Sequence, residues 1–337
     1  MKVLPAIDLK DLSRYRGEMM GVATLFVVLF HVWLKPTDPF FGLRRCGNIG
    51  VDIFLLISGI GLWHAWQKNP SVRHFLHRRY RRIYPTWLVV ATAYYLPEYI
   101  AHGGGWRELP MLIGQITVGW GFWAHDELTF WYMPAIIVLY AIAPFYLRLI
   151  DRHAEWRWLP VLLICWCVAV RWVTPVHAAV GHIEIFWSRA PIFFIGINMG
   201  AAVRDGRPGS TSATLLALIT LLTVGGMCMW LEQFRHGRFP LFVERMLYIP
   251  LTVAFLLLLG AVLRHTPTWA RQALAFVGAL SLEVYLIHLN FVLLPLARLH
   301  WGYWENVLAT LALTLPMAWV LHYVIAFAAS LRKNKKK

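Results

Sequence analysis

Charged residues are scarce in this chain, since Asp, Glu, Lys and Arg make up 15% of its 337 residues. A soluble domain carries about a quarter. The shortage is filled by Leu, Ile, Val, Ala and aromatic residues in repeated long apolar blocks, and the mean hydropathy is +0.56. This composition excludes an ordinary soluble protein and predicts an all-α polytopic membrane protein.

Acidic residues are especially few, with 17 Asp and Glu against 32 Lys and Arg, so the formal net charge is +15. In a soluble protein this charge would suggest a nucleic-acid partner. Basic residues also concentrate in the cytoplasmic loops of membrane proteins, and no nucleic-acid recognition module lies between the apolar blocks. We therefore expect the lipid bilayer, and no nucleic acid, as a partner.

Cysteine is rare as well: the four cysteines lie in or beside different apolar blocks. Their spacing matches neither a metal site nor the disulfide framework of a small domain. His74 and His77 are three residues apart, but no carboxylate or cysteine accompanies them. We therefore expect no metal site.

What the chain does contain is ten apolar windows of about the length that crosses a bilayer. They cover residues 19–35, 48–66, 83–101, 129–150, 158–174, 189–203, 211–231, 245–263, 273–297 and 304–329. A weaker window at 108–124 is interrupted by Gly and Pro. Many aromatic residues fall near the window ends, where interfacial anchors belong.

The distribution of Lys and Arg sets the orientation. With ten spans and the N-terminus inside, the inner segments hold 22 Lys and Arg and the outer loops seven. Counting 108–124 as a span would place the terminal "RKNKKK" outside. The positive-inside rule therefore favours ten spans with both termini in the cytoplasm, and 102–128 becomes an outer loop.

The whole chain, 1–337, is expected to form a single transmembrane domain in a bacterial plasma (inner) membrane. A short cytoplasmic segment, 1–18, precedes the first span, and a basic cytoplasmic tail, 331–337, follows the last. No internal repeat at a fixed period is present. We expect no appended soluble domain.

Two ionisable residues are predicted at similar depth in the outer half of the membrane. His31 lies near the outer end of the first window, and Asp52 lies just inside the second, which runs the opposite way. A carboxylate next to an imidazole would fix its tautomer and raise its basicity, as a general base requires. The alternative is a lone histidine at the interface, with Asp52 at a helix start.

Other polar residues in apolar windows are weaker candidates for a substrate channel. Glu283, Tyr285 and His288 lie in the ninth window, where helix–helix hydrogen bonding is an equally good explanation. Arg189 is at the start of the sixth window, where a snorkelling side chain is the simpler explanation. Trp131 is near the start of the fourth window, where an interfacial anchor is the simpler explanation.

The strongest polar cluster is "RHFLHRRYRRIYP", residues 73–85, on the predicted cytoplasmic side. Arg79 and Arg82 share a helix face and could hold phosphate groups. The alternative is a stop-transfer run that grips anionic lipid headgroups. Small residues of the second window, among them Ser58, allow close helix packing or passage. The pattern suits an enzyme that takes a phosphorylated donor from inside, and it equally suits a transporter for an anionic metabolite.

Six segments of the chain, in this order, resemble the acyltransferase 3 family of integral membrane O-acyltransferases. They read "VVLFH", "GVDIFLLISG", "FLHRRYRRIYP", "LTFWYMPAIIVLYAIAP", "SRAPIFFIGINMG" and "LSLEVYLIH", and the similarity covers nearly the whole chain, about residues 14–325. The resemblance implies a ten-helix core. It also implies transfer of an acyl group, typically acetyl, from cytoplasmic acyl-CoA to a hydroxyl of an extracytoplasmic glycan, lipid-linked sugar or small molecule.

The resemblance also implies roles for residues. His31 matches the family's catalytic histidine, and Asp52 matches the aspartate of the second-helix motif. Arg79 and Arg82 match the arginine pair associated with the CoA phosphates, and Arg78 and Tyr84 belong to the same segment.

The sequence departs from the family's pattern in the first helix. Many members carry an arginine eleven positions before the histidine, where this chain has Met20. Arg16 or Glu18, in "YRGEMMG", is the candidate to take its place. The expected mechanism has CoA phosphates on the arginines and His31, oriented by Asp52, as the base on the acceptor hydroxyl.

Overall fold

The computed structural model describes residues 6–206 and 209–334, and within these ranges the chain is helical, without a β-strand. The first five residues of the predicted N-terminal segment and residues 335–337 of the predicted basic tail lie outside the described part.

Every predicted window corresponds to a helix, and the ninth corresponds to two. In chain order these helices are α1 (Arg16–His31), α2 (Ile49–Lys68), α3 (Val72–Ala101), α4 (Tyr132–Arg152), α5 (Leu159–Trp172), α6 (Glu184–Asp205), α7 (Thr211–Arg235), α8 (Leu241–His265), α9 (Thr268–Ala279), α10 (Ser281–Ile287) and α11 (Tyr303–Asn334). A π-helical turn, His288–Leu293, and a short helix, Leu294–Ala297, continue α10.

Shorter helices connect these elements. They are Asp11–Arg14, Phe41–Cys46, Leu109–Val118, Trp120–His125, Ala154–Trp158, Thr174–Val180 and Gly181–Ile183. The weak window at 108–124 forms two of them, and the ten residues of Leu109–Val118 are only about 15 Å long, too short to cross a bilayer.

Six segments of the described chain are long and apolar enough to cross a membrane. They are Phe41–Lys68, Tyr132–Arg152, Thr174–Asp205, Thr211–Arg235, Leu241–His265 and Tyr303–Leu331. The segments Thr268–Ala279 and Ser281–Ala297 qualify only as a pair bent by 58°, which raises the number to seven. The structure supports a helical membrane protein, while ten spans and two cytoplasmic termini stay predictions.

Burial separates the central helix from the lipid-facing ones. The most apolar stretch of the Phe41–Lys68 segment, which contains α2, is 83% buried, whereas that of α7 is 17% buried and that of α11 is 11% buried. A helix that is apolar all round belongs inside a bundle or in contact with lipid. Thus α2 forms the centre, and α7 and α11 form part of the rim.

Glycines allow the helices around the centre to approach closely. A Cβ atom added at Gly59 of α2 or at Gly196 of α6 would overlap the backbone of the facing helix. The same holds for Gly21 of α1 and Gly278 of α9. Small residues at such contacts are the usual means of helix association in membranes. These contacts hold α1 against α9, and α2 against α6.

Candidate active site

Two histidines meet where α1 ends and where the π-helical turn begins. His31 is the last residue of α1, and His288 is the first residue of the turn. The Nε2 atom of His288 lies 3.2 Å from Nδ1 of His31, and the ring centroids are 4.9 Å apart. His288 is buried, whereas His31 is partly accessible. Single π-helical turns often occur at functional sites.

Backbone carbonyls determine which nitrogen of each ring carries a hydrogen. Nδ1 of His288 lies 2.8 Å from the carbonyl oxygen of Val284 and 3.0 Å from that of Tyr285. Carbonyl oxygens only accept, so this Nδ1 must donate, and Nε2 of His288 keeps its lone pair. Nδ1 of His31 then donates to the carbonyl of Val27 at 2.7 Å and toward His288. The free lone pair of His31 is therefore on Nε2, where a general base needs it.

Asp52 has a different partner from the one expected. Its carboxylate is buried and accepts a hydrogen bond from Arg189, which is also buried. The same guanidinium donates to the Asn48 side chain at 2.7 Å and lies 5.7 Å from the ring of Trp131. The expectation that Asp52 orients His31 is therefore corrected, because a buried guanidinium needs a carboxylate more than a neutral imidazole does. His288 occupies the orienting position instead.

A second buried arginine, which sequence reasoning missed, lies near this ion pair. Arg245 of α8 donates to the hydroxyl of Ser188 at 3.3 Å and is 7% exposed. It opens the eighth apolar window, just as Arg189 opens the sixth, so the same signal could have identified it. Arg189 is thus a buried ion-pair partner rather than a snorkelling side chain.

The arginines of the predicted phosphate cluster line a narrow cleft at the other end of the bundle. Arg79 and Arg82 of α3 meet Arg16 of α1 there, and the cavity measures about 80 Å³. Ser58 and Tyr285 line the same cleft. The backbone carbonyl of Tyr285 also contacts His288, so one residue connects the wall of the cleft with the histidine pair.

The charge of this arginine cleft is not balanced by carboxylates. Among the ion pairs of the described residues, none includes Arg16, Arg79 or Arg82. Burial lowers the pKa of Arg16, and the positive charge of Arg82 lowers it further. Burial likewise lowers the pKa of Arg79. Three like charges held together without a carboxylate partner produce a positive potential that attracts anions.

Arg16 also lines a second cavity, of about 360 Å³, nearer the predicted cytoplasmic face. Arg78, His64 and Lys68 contribute to its wall. The Arg16 guanidinium lies against Gly61, which leaves room for it. Of the two candidates for the missing first-helix arginine, the structure brings Arg16 to the cluster, while Glu18 lines neither cavity.

The remaining predicted residues are placed as follows. The Tyr84 hydroxyl donates a hydrogen bond to the carbonyl of Thr117 at 2.9 Å, so it connects two segments of the chain and does not line the cleft. Glu283 lies 3.0 Å from Nδ1 of His322 on α11, a partner that sequence reasoning did not identify. The Tyr285 hydroxyl accepts a hydrogen bond from the backbone of Tyr132 at 3.1 Å.

The helical bundle, with its arginine cleft and its histidine pair, defines a polytopic helical membrane protein with ionisable groups in its interior. The chain belongs to the acyltransferase 3 family, because the family model described as an acyltransferase domain matches residues 19–331. The resemblance seen in the sequence is thus confirmed.

One relative carries an acetyltransferase name: ORF330 of Acidianus two-tailed virus, which is 32% identical over 82 residues. The match covers 24% of this chain and 24% of that protein, so this chain spans about a quarter of the relative's length. No solved structure gives a significant match.

Proposed function

We propose that this protein is a membrane O-acyltransferase. It moves an acyl group, for which we propose acetyl, from cytoplasmic acyl-CoA to a hydroxyl of an extracytoplasmic acceptor. The observation that carries the proposal is the uncompensated arginine cleft, which leads from the basic face of the bundle toward His31. The arginines suit the anionic phosphates of an acyl carrier, and His31 would supply the base.

The donor would lie along α1. Arg16, Arg79 and Arg82 would bind its phosphates through charge-assisted hydrogen bonds. Arg16 and His31 are fifteen residues apart on one helix, a rise of about 22 Å. The arm that carries the thioester would therefore extend through the cleft past Tyr285. A cleft of 80 Å³ is smaller than the roughly 300–1,000 Å³ of ordinary ligand sites, so we expect it to widen when the donor enters.

The base would be Nε2 of His31, which the hydrogen bonds at Nδ1 leave unprotonated. It removes the proton of the acceptor hydroxyl while the hydroxyl oxygen attacks the thioester carbonyl carbon. A carbon–oxygen bond forms and the carbon–sulfur bond breaks. The proton then passes from His31 to the departing thiolate, so the reaction needs no other reactant.

The base is tested by measuring CoA release from acetyl-CoA with purified protein in nanodiscs and an envelope extract as acceptor. His31→Ala should reduce turnover by about 10²- to 10⁴-fold. His102→Ala, at an exposed site after α3, is the control and should keep wild-type turnover. Wild-type turnover in His31→Ala would refute the assignment, and flux of an anion without CoA release would favour a transporter.

The arginine cleft is tested by two neighbouring substitutions. Arg79→Gln should raise the KM for acetyl-CoA by about tenfold or more, since a hydrogen bond to a charged group contributes about 1.5–3 kcal/mol. Arg81→Gln removes the same charge from an exposed site that lines neither cavity, and its KM should stay near wild type. Equal effects of the two changes would mean that general surface charge, and not the cleft, attracts the donor.

A further inference from the structure

A cavity of about 740 Å³ shares no lining residue with the arginine cleft. Apolar side chains line most of it, including Phe26 of α1, Leu222 of α7 and Phe255 of α8. Gly225 of α7 is part of its wall, and a Cβ added there would lie 3.3 Å from Cδ1 of Leu251, another lining residue. Leu222 is 65% exposed, so the cavity opens on the lipid-facing side of α7. Its volume is within the range of sites that enclose small molecules.

Two charged residues line this apolar cavity, Asp38 and Arg44, and Arg44 contacts the main chain beside His31. Nη1 of Arg44 donates to the carbonyls of Phe30 at 3.0 Å and Val32 at 2.8 Å, the residues on either side of His31. The Nε atom of Arg44 is buried without a hydrogen-bond partner. The neighbouring Arg45 pairs with Glu232, whereas no ion pair among the described residues includes Arg44. Its charge is thus available to an anionic ligand.

We infer that this cavity holds the hydrocarbon chain of the acceptor, a lipid with an anionic head group. The head group lies at Arg44, and the lipid presents its hydroxyl to His31. This inference rests on the proposed function and narrows the acceptor to one class. A water-soluble glycan would leave the apolar walls unused, whereas the tail of a lipid matches them and its anionic head group can pair with Arg44, which has no ion-pair partner among the described residues.

The physics of the bilayer indicates where the selectivity lies. A lipid tail that moves from the bilayer into the cavity exchanges one apolar environment for another, so its burial contributes little. The guanidinium therefore selects the head group, while the shape of the cavity selects the tail. Loss of the head-group preference and loss of tail binding should therefore be measurable in separate variants.

The test uses the protein in nanodiscs that contain either phosphatidylglycerol or phosphatidylcholine with a photoactivatable diazirine in one tail. Crosslinked peptides are mapped by mass spectrometry. Residues 222–229 of α7 should crosslink about tenfold more to phosphatidylglycerol than to phosphatidylcholine, given a charge-assisted contact. Arg44→Gln should abolish this preference, and Arg44→Lys should keep most of it.

A matched pair of glycine substitutions tests the cavity itself. Gly225→Leu fills it and should remove the crosslinks at 222–229, whereas Gly226→Leu, next to it in open space, should keep them. Equal crosslinking of the two lipids, or no effect of Gly225→Leu, would overturn the lipid site.

The acceptor role has its own measurement. With radiolabelled acetyl-CoA and a total membrane lipid extract, label should enter the chloroform-soluble fraction and be lost in Gly225→Leu. Label confined to aqueous products would overturn the lipid acceptor while leaving acyl transfer intact. Crosslinking needs no acyl donor, so it should persist in His31→Ala, and a failed transferase is thereby distinguished from a failed lipid site.

Discussion

The two ring nitrogens of His31 differ in their hydrogen bonds, and His288 is one of the two partners of Nδ1. Nδ1 is occupied by Val27 and His288, so the free lone pair of His31 is on Nε2. In the mechanism that we propose, Nε2 is the base for the acceptor hydroxyl, and His288 is a positioning residue that touches no reacting atom. His288 thus takes the orienting role that the sequence predicted for Asp52.

Substitution of His288 tests this role. Because a misplaced base can cost about 10²-fold in rate, His288→Met should lower kcat by about that factor, with little change in the KM for acetyl-CoA. His288→Gln offers an amide oxygen to Nδ1 of His31 and should restore part of the activity. A purely structural role would show as equal losses in the two variants, tracking their thermal stability.

The Asp52–Arg189 pair makes a separate prediction about stability. Removing one partner of a buried ion pair leaves an uncompensated charge and costs about 3–5 kcal/mol. Asp52→Ala should therefore lower the unfolding temperature in detergent strongly, and the double variant Asp52→Leu with Arg189→Met should recover most of the loss. A double variant as unstable as the single one would mean that the pair contributes more than charge balance.

At the scale of helices, the contact between α2 and α6 depends on glycines that face backbone atoms. The two helices carry Asp52 and Arg189, so their distance decides whether the ion pair can form. A side chain added there meets a main-chain carbonyl, which has no freedom to move aside.

Gly196→Leu should accordingly destabilise the protein by at least about 1–3 kcal/mol, the usual cost of overpacking. Gly226→Leu makes the same change on α7 where nothing lies within 4 Å, and should leave stability unchanged. The measurement is thermal unfolding of the two variants in the same detergent. Similar unfolding temperatures would show that α2 and α6 can separate without cost.

At the scale of the whole molecule, the orientation in the membrane is open to direct test. In a variant lacking the four native cysteines, single cysteines are placed at three exposed sites, Lys10, Arg107 and Ser330. A membrane-impermeant thiol reagent added to intact cells should label Arg107→Cys alone. Labels at Lys10→Cys and Ser330→Cys should appear only after permeabilisation. Labelling of Ser330→Cys from outside would contradict the ten-span topology.

The sequence predicted the helices well, because long apolar windows bounded by charge are strong signals. It also selected His31 and Asp52 as candidates and paired them with each other, whereas the structure pairs His31 with His288 and Asp52 with Arg189. Helix order along the chain shows only that α1 and α2 are consecutive. Which residues meet depends on the rotation of each helix and on the approach of α6 and of the turn that follows α10. For that reason His288 and Arg189 were identified as candidates, but their partners were not.

The narrowness of the arginine cleft has a consequence for the cell. Under the proposed function, an acyl group passes through the interior of this bundle. The surrounding membrane must at the same time hold an ion gradient. The cleft measures about 80 Å³, which leaves room for few water molecules, and Phe54, Ile83 and Ile136 form part of its wall. In the mechanism that we propose, the bound donor would fill this space, so the membrane would stay insulated against ions during transfer.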